Sequence, residues 1–363
     1  MTIDSLANSG DGVGRVDNKV IFVPLTCPGD RVRVELQTHK KSFARARLVE
    51  ILSPSPQRVT PPCPYYEKCG GCNLQHIDYS TQIFWKRENL LNCLTKIAKL
   101  EDLSCVQEIA PSPLPFHYRN RLQIHLNAEG PFFLQRNSHN PVSIDRCLIA
   151  EESINEKLKE IPWPKKGSTQ KIELATGPDG VGVYSVNSPG FSELGFRQVN
   201  SDQNERLIKK TLTFLAEEKV STVLDLYCGQ GNWAKAIHQA WPHISCLGVD
   251  NNPTNISKAK AFTTENLEFV LAQAEDFLSQ QEERFDLMIL DPPRKGCDPA
   301  LFQALEAAKK PRLILYISCH PATLARDLFS LKELNYRVQE ILPVDMFPQT
   351  SHLETWCMLR SNS

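Results

Sequence analysis

Three groups of residues in this chain are of kinds that do chemistry. The first is Cys319, in Tyr316-Ile317-Ser318-Cys319-His320-Pro321, where a short apolar run stops at a proline. A thiol there stands at the carboxyl end of a strand, where open α/β sheets bind ligands. It becomes a nucleophile when its surroundings lower its pKa from about 8.5. Taken alone, such a cysteine is more often an inert core residue. The second group is Asp225-Leu226-Tyr227-Cys228-Gly229-Gln230-Gly231-Asn232 with Asp250 further on. Two glycines let backbone approach a ligand, and an acid after the next strand accepts ribose hydroxyls. A dinucleotide loop would carry a third glycine where Ala234 stands, which favours S-adenosylmethionine over NAD. Gln273, after the third strand, is placed to reach an adenine edge. Asp291-Pro292-Pro293-Arg294 fixes a carboxylate over the same sheet edge. The third group is Cys63, Cys69 and Cys72, with Cys147 far downstream. Soft thiolates select zinc or iron-sulfur clusters. Only one C-x2-C unit is present, where paired zinc knuckles would show two, so the spacing tilts toward [4Fe-4S].

Composition bounds what these groups can serve. The chain has 363 residues, a formal net charge of -1 and 12 cysteines. Its length suits two or three domains, and any nucleic-acid surface must be local. The first residues lack a basic-then-apolar signal, and no apolar run approaches the roughly 18 residues that a membrane span needs. The expectation is a cytoplasmic protein without membrane association, whose cysteines serve metal or catalysis rather than disulfides.

The elements that must position these residues fall into three stretches. Arg31–Leu36 and Phe43–Leu48 alternate with period two around a break at His39-Lys40-Lys41, which predicts a small antiparallel unit with one apolar and one basic face. Between Arg31 and Glu50 stand six Lys or Arg against two Glu, the pattern of a solvated face or of a phosphate-binding barrel. A proline-rich turn at 54–64 leads into a region that mixes a helix over 81–100 with strands over 118–126 and 180–186. From about Asn204, strands over 220–226, 244–249, 267–271, 287–290 and 313–317 alternate with helices, which predicts a doubly wound parallel sheet.

With these residues in view, the chain resembles the RNA uracil-5-methyltransferases that carry an iron-sulfur cluster, and within them the 23S ribosomal RNA branch. The resemblance spans essentially the whole chain. It implies a multidomain α/β protein: residues 1–53 a TRAM-like, OB-like RNA-binding β-barrel, 54–190 a central α+β iron-sulfur and RNA-binding domain, and 191–363 a doubly wound, Rossmann-like S-adenosylmethionine-dependent methyltransferase. It implies Cys63, Cys69, Cys72 and Cys147 as ligands of a [4Fe-4S] cluster. It implies Gln198, Tyr227, Asn232, Asp250, Gln273 and Asp291 as contacts of S-adenosyl-L-methionine. Cys319 falls on the family's nucleophile, and Glu354, in Gln349-Thr350-Ser351-His352-Leu353-Glu354, on its general base. His320 stands where the family often has Asn, Asp250 where it has Glu, and Tyr227 and Trp233 where it has Phe.

The expected activity is methylation of uridine C5 in 23S rRNA through a Cys319 adduct, by a monomer that flips its target base out of RNA. Arg45, Arg47, Arg119 and Arg121, with Phe116 and Tyr118, are candidates to hold the displaced strand. Two other readings compete. One is a tRNA uridine-54 methyltransferase on the same machinery; the other is a non-catalytic iron-sulfur RNA binder of ribosome assembly. A cytosine-5 RNA methyltransferase would carry its nucleophile in a different motif.

Overall fold

The computed structural model describes residues 1–187, 191–192, 194–195 and 197–362. The chain forms two compact units. One comprises Met1–Asn89, Pro111–Asn187 and Phe347–His352; the other comprises Leu90–Ala110, Ser188–Met346 and Leu353–Ser363.

The first unit opens with β1 (Ile3–Leu6), β2 (Gly12–Val16), β3 (Lys19–Val23), β4 (Arg31–His39) and β5 (Phe43–Ser53), in the sheet order β1-β2-β3-β5-β4. The expected hairpin is the antiparallel pair β4–β5, which curls at three register shifts. Its apolar alternation buries Val32, Ala44 and Ala46 against Ile3, Ile21 and Val23. The basic face is not free. Arg33 pairs with Glu50 at 2.9 Å, Arg47 with Glu35, Arg45 with Asp11 at 3.8 Å, and Arg15 with Asp4 at 3.9 Å. Exposed pairs of this kind are worth about 0–1 kcal/mol, so a phosphate can displace them.

The helix α1 (Tyr79–Lys96) follows, then β6 (Arg121–Asn127), β7 (Gly130–Leu134), β8 (Pro141–Ser143), α2 (Glu152–Glu160), β9 (Gln170–Gly177) and β10 (Gly180–Asn187). The strands lie side by side in the order β10-β9-β6-β7-β8, and α2 covers a core of Leu122, Ile124, Ile154, Leu158, Ile172 and Leu174. The strand expected over 118–126 starts only at Arg121. Two of the residues expected to face RNA here are buried in structural contacts, and a third, Arg119, is half-buried. Arg121 is buried and ion-paired with buried Glu173 at 2.5 Å. Tyr118 is buried and donates its hydroxyl to the Pro348 carbonyl at 3.1 Å, and Arg119 Nε donates to the Arg121 carbonyl at 2.9 Å. A guanidinium that enters a core must bring a carboxylate, which alternation of residue types does not reveal.

The second unit contains the two-residue β11 (Phe191–Ser192), α3 (Ser201–Ala216), β12 (Thr222–Leu226), α4 (Asn232–Ala240), β13 (Ser245–Asp250), α5 (Pro253–Ala259), β14 (Leu267–Leu271), α6 (Ala274–Ser279), β15 (Leu287–Leu290), α7 (Pro299–Ala307), β16 (Leu313–Ser318), α8 (Pro321–Glu333), β17 (Tyr336–Val344) and β18 (Glu354–Ser361). Its seven-stranded sheet has the order β14-β13-β12-β15-β16-β18-β17. The first five strands are parallel, as the alternation of strand and helix predicts. β15 and β16 are buried along their whole length, which is why they read as continuous apolar runs. β17 and β18 are antiparallel and were not expected; in β17 the polar residues Arg337, Gln339 and Glu340 break the apolar pattern. No helix among the described residues is long and apolar enough to cross a membrane.

Candidate active site

The carboxyl ends of the parallel strands gather the candidate residues at one sheet edge. Tyr227 follows β12, Asp250 ends β13, Gln273 lies just after β14, Asp291 follows β15, and Cys319 follows β16. The antiparallel β18 adds Glu354 to that edge, because a reversed strand presents its first residue where its neighbours present their last. Ser318 pairs with Thr355 in the β16–β18 register. Cys319 and Glu354 are the neighbours of that last pair, and their charges interact.

Electrostatics tie the cluster together. Burial, then the nearby Glu354 carboxylate, push the Cys319 thiol up to about 12, and the Arg294 guanidinium pulls it back. Glu354 is 2% exposed, and burial followed by the Asp291 charge raise its carboxyl well above the usual range, again opposed by Arg294. Asp291 is raised by burial to about 6, while the Trp233 indole N–H, 3.1 Å from its Oδ2, works against the shift. Arg294 was read only as part of a turn motif; it is the cation that opposes the raised pKa of both Cys319 and Glu354. Trp233 was read as a stand-in for Phe, but a buried indole needs a partner for its N–H, and that need points to Asp291.

Cys319 also sits directly before α8. His320 is the N-cap, its Nδ1 accepting from the Thr323 N–H at 3.4 Å. An imidazole accepts only when neutral, and burial followed by Arg294 lower the His320 pKa accordingly. The N-terminal end of the helix favours negative charge on the preceding thiol.

The loop that follows β12 is equally ordered. Tyr227 at φ +62° and Gly229 at φ +57° turn the chain from β12 toward α4. The Gly229 N–H donates to Asp250 Oδ2 at 3.0 Å, and Asn252 N and Asn255 Nδ2 donate to Asp250 Oδ1 at 2.8 and 3.3 Å. Each carboxylate oxygen has two acceptor sites, so Oδ1 is filled and one site on Oδ2 remains for a ribose hydroxyl. Asn232 exchanges side-chain hydrogen bonds with Asn204 of α3, and exposed Gln273 accepts from Asn251 Nδ2 at 3.0 Å. Gln198 is half-buried two residues before Asn200, the N-cap of α3; its neighbour Phe196 lies outside the described residues. Asp225 was read only as part of the glycine loop. It is fully buried, its Oδ2 accepts from Ala234 N at 3.1 Å, and its Oδ1 has no partner. An orphaned buried acceptor beneath a glycine loop is what a ligand with its own donors satisfies.

In the first unit, the Phe347–His352 segment that precedes Glu354 in sequence is closely held. Asn73 and Leu74 donate their N–H groups to the Gln349 carbonyl at 3.1 Å, Ser351 N donates to Asn73 Oδ1 at 2.9 Å, and the Gln82 side chain bonds that of Gln349 at 3.1 Å. The Cys63, Cys69, Cys72 and Cys147 thiols are all free and half-buried, and all are raised by burial. The charges of Cys147 and Cys63 also raise Cys69, and those of Cys147, Cys69 and Cys63 raise Cys72, so the four lie within electrostatic range. The donor set suits a thiolate cluster, but among the described residues no three His, Cys, Asp or Glu stand at metal-ligating distances.

Known proteins place this geometry. Residues 190–362 match the tRNA (uracil-5-)-methyltransferase family model and residues 1–49 match the TRAM domain. The whole chain is 35% identical to an uncharacterised RNA methyltransferase of Bdellovibrio bacteriovorus, 95% of which it covers. The chain belongs to the RNA uracil-5-methyltransferases. A second RNA methyltransferase, from Thermosynechococcus vestitus, is 31% identical over 100% of this chain and 98% of its own. The crystal structure of Pyrococcus abyssi tRNA (uracil-54, C5)-methyltransferase with S-adenosyl-L-homocysteine superposes with a TM-score of 0.76 at 27% identity, covering 99% of both chains. This RNA methyltransferase therefore combines an N-terminal TRAM region with a Rossmann-like catalytic sheet that uses S-adenosylmethionine.

Proposed function

We propose that this methyltransferase modifies C5 of uridine in 23S ribosomal RNA, with Cys319 as nucleophile and Glu354 as base. The observation that supports the reading is the end of the β16–β18 ladder at Ser318 and Thr355, whose neighbours Cys319 and Glu354 interact electrostatically with each other and with Arg294 and Asp291.

Uracil C5 is a weak nucleophile. The Cys319 thiolate adds to C6, and the electron pair of the C5=C6 bond moves into a C5–C4–O4 enolate. S-adenosylmethionine, when bound, supplies an electrophilic methyl on a sulfonium, which C5 takes. Glu354, as carboxylate, removes the remaining proton from C5; the C5=C6 bond reforms and Cys319 departs as thiolate. Arg294 and the α8 N-terminus favour that thiolate both when it attacks and when it leaves. Gln198, Tyr227, Asn232, Asp250, Gln273 and Asp291 surround the methyl donor. Cys63, Cys69, Cys72 and Cys147 would hold a [4Fe-4S] cluster, which would brace the RNA-binding region. The protein acts as a cytoplasmic monomer divided as 1–53, 54–190 and 191–363.

The TRAM region and the four thiols favour ribosomal RNA. The similarity to the tRNA (uracil-54, C5)-methyltransferase over nearly all of both chains favours tRNA. Protein purified without oxygen and given labelled S-adenosylmethionine with separate unmodified 23S rRNA and tRNA decides between them. 5-Methyluridine in rRNA is the expected result. Product in tRNA alone transfers the assignment to tRNA, and label in neither RNA returns the weight to a non-catalytic binder.

A further inference from the structure

The Asp291–Cys297 loop carries both Asp291 and Arg294, runs between β15 and α7 without regular structure of its own, and must be held from elsewhere. Its anchor is α8. The Cys297 N–H donates to Asp327 Oδ2 at 2.8 Å. Arg326 Nη2 donates to the Lys295 and Cys297 carbonyls at 3.0 and 3.1 Å, and the same guanidinium is tied to Asp327 Oδ1 at 2.6–2.7 Å. Thr323 Oγ1 adds a bond to the Arg294 carbonyl at 3.3 Å. There is no slack in the fit: at Gly296, φ +76°, a Cβ would lie 2.5 Å from both Arg326 Nη2 and Asp327 Oδ2.

The same carboxylate reaches the nucleophile strand. Tyr316, three residues before Cys319 and fully buried, donates its hydroxyl to Asp327 Oδ2 at 2.5 Å. The Cys297 thiol lies 3.7 Å from the Tyr316 hydroxyl and also bonds the Tyr227 side chain of the nucleoside loop. Asp327, itself 0% exposed, thus bonds the Asp291–Cys297 loop and the strand β16 directly, and reaches Tyr227 only through Cys297.

Resting on the function proposed above, we propose that Asp327 is a positioning residue for methyl transfer, which, with Arg326, Tyr316 and Cys297, fixes Arg294 against Cys319 and seats Tyr227 for the methyl donor. It touches no reacting atom. A carboxylate suits the task because it accepts from an amide, a phenol and a guanidinium at once, which an amide side chain cannot do.

The test compares the full-length wild type with Asp327→Asn and Tyr316→Phe. Folding is checked by thermal melting, S-adenosylhomocysteine binding by calorimetry, and the pH dependence of Cys319 alkylation by iodoacetamide with peptide-resolved mass spectrometry. The last two readouts need no RNA, so they stand even where the assigned activity fails. Asp327→Asn is expected to melt cooperatively, to shift the Cys319 alkylation limb to higher pH as Arg294 loses its hold, and to bind S-adenosylhomocysteine roughly tenfold more weakly. Tyr316→Phe, which removes only the hydroxyl, should show the same changes in smaller degree and serves if Asp327→Asn does not fold. Folded variants with wild-type alkylation and wild-type affinity overturn the proposal. Absence of RNA methylation by the wild type, with both shifts present, overturns the assigned activity and leaves the positioning role standing.

Discussion

At the residue scale, the site is a balance between charges that oppose each other. On the proposed mechanism Cys319 must become a thiolate, yet burial and the Glu354 charge hold it near 12, so Arg294 and the helix terminus are the groups that would make it usable. The signs follow. Wherever Glu354 is ionised it raises the Cys319 pKa, so Glu354→Gln should move the alkylation limb of Cys319 to lower pH. Arg294→Gln removes a lowering cause and should move it to higher pH. Iodoacetamide rates against pH, resolved by peptide, check both directions. Trp233→Phe deletes the indole N–H that opposes the rise at Asp291. The Asp291 carboxyl should then titrate above 6, and S-adenosylhomocysteine should bind about 1 kcal/mol more weakly by calorimetry. Cys319, the glycine loop and Asp291 were legible in the sequence because short local motifs carry them. Arg294's role, Trp233's bond and the orphaned Asp225 oxygen were not, since each depends on a partner 25 or more positions away or on burial that no local pattern encodes.

At the element scale, the parallel strands were readable because each is a short apolar run between turn signals. β14 and β15 fall on the expected bounds, and β16 extends one residue further, to Ser318. The antiparallel β17 and β18 were missed, and they matter most, since β18 delivers Glu354. Long-range pairing with β16, rather than the composition of its own segment, fixes that strand. α8 shows how a departure from the family pattern is absorbed: His320 accepts from the Thr323 N–H as an Asn side chain would, at the cost of having to stay neutral. His320→Asn should retain stability in urea unfolding, while His320→Ala should lose about 1 kcal/mol. The basic hairpin face was legible as charge but not as pairs, because its acids lie across the sheet on other strands.

At the scale of the whole molecule, a net charge of -1 leaves RNA affinity to local surfaces. In the first unit, the titration of His76 bears on stability. His76 is 2% exposed, takes a 2.6 Å hydrogen bond with the Tyr66 hydroxyl, and burial lowers its pKa to about 4. A depressed pKa means that the neutral form is favoured in the fold. Its contribution is therefore complete above the unfolded value near 6.5 and is lost as pH falls toward 4, by up to about 3 kcal/mol. Urea unfolding at pH 7 and pH 4.5 should show a smaller loss in His76→Gln than in the wild type. An equal loss would remove His76 as the cause.

The central claim is that Cys319 and Glu354 act in sequence on one base, and incubation of Glu354→Gln with RNA substrate and S-adenosylmethionine tests it most directly. Without the base, the methylated adduct cannot collapse, so a protein–RNA species that survives denaturation should accumulate, with Cys319 as the linked residue by mass spectrometry. It should be absent from Cys319→Ala. Full turnover by Cys319→Ala, or an adduct linked through any other residue, would contradict the account.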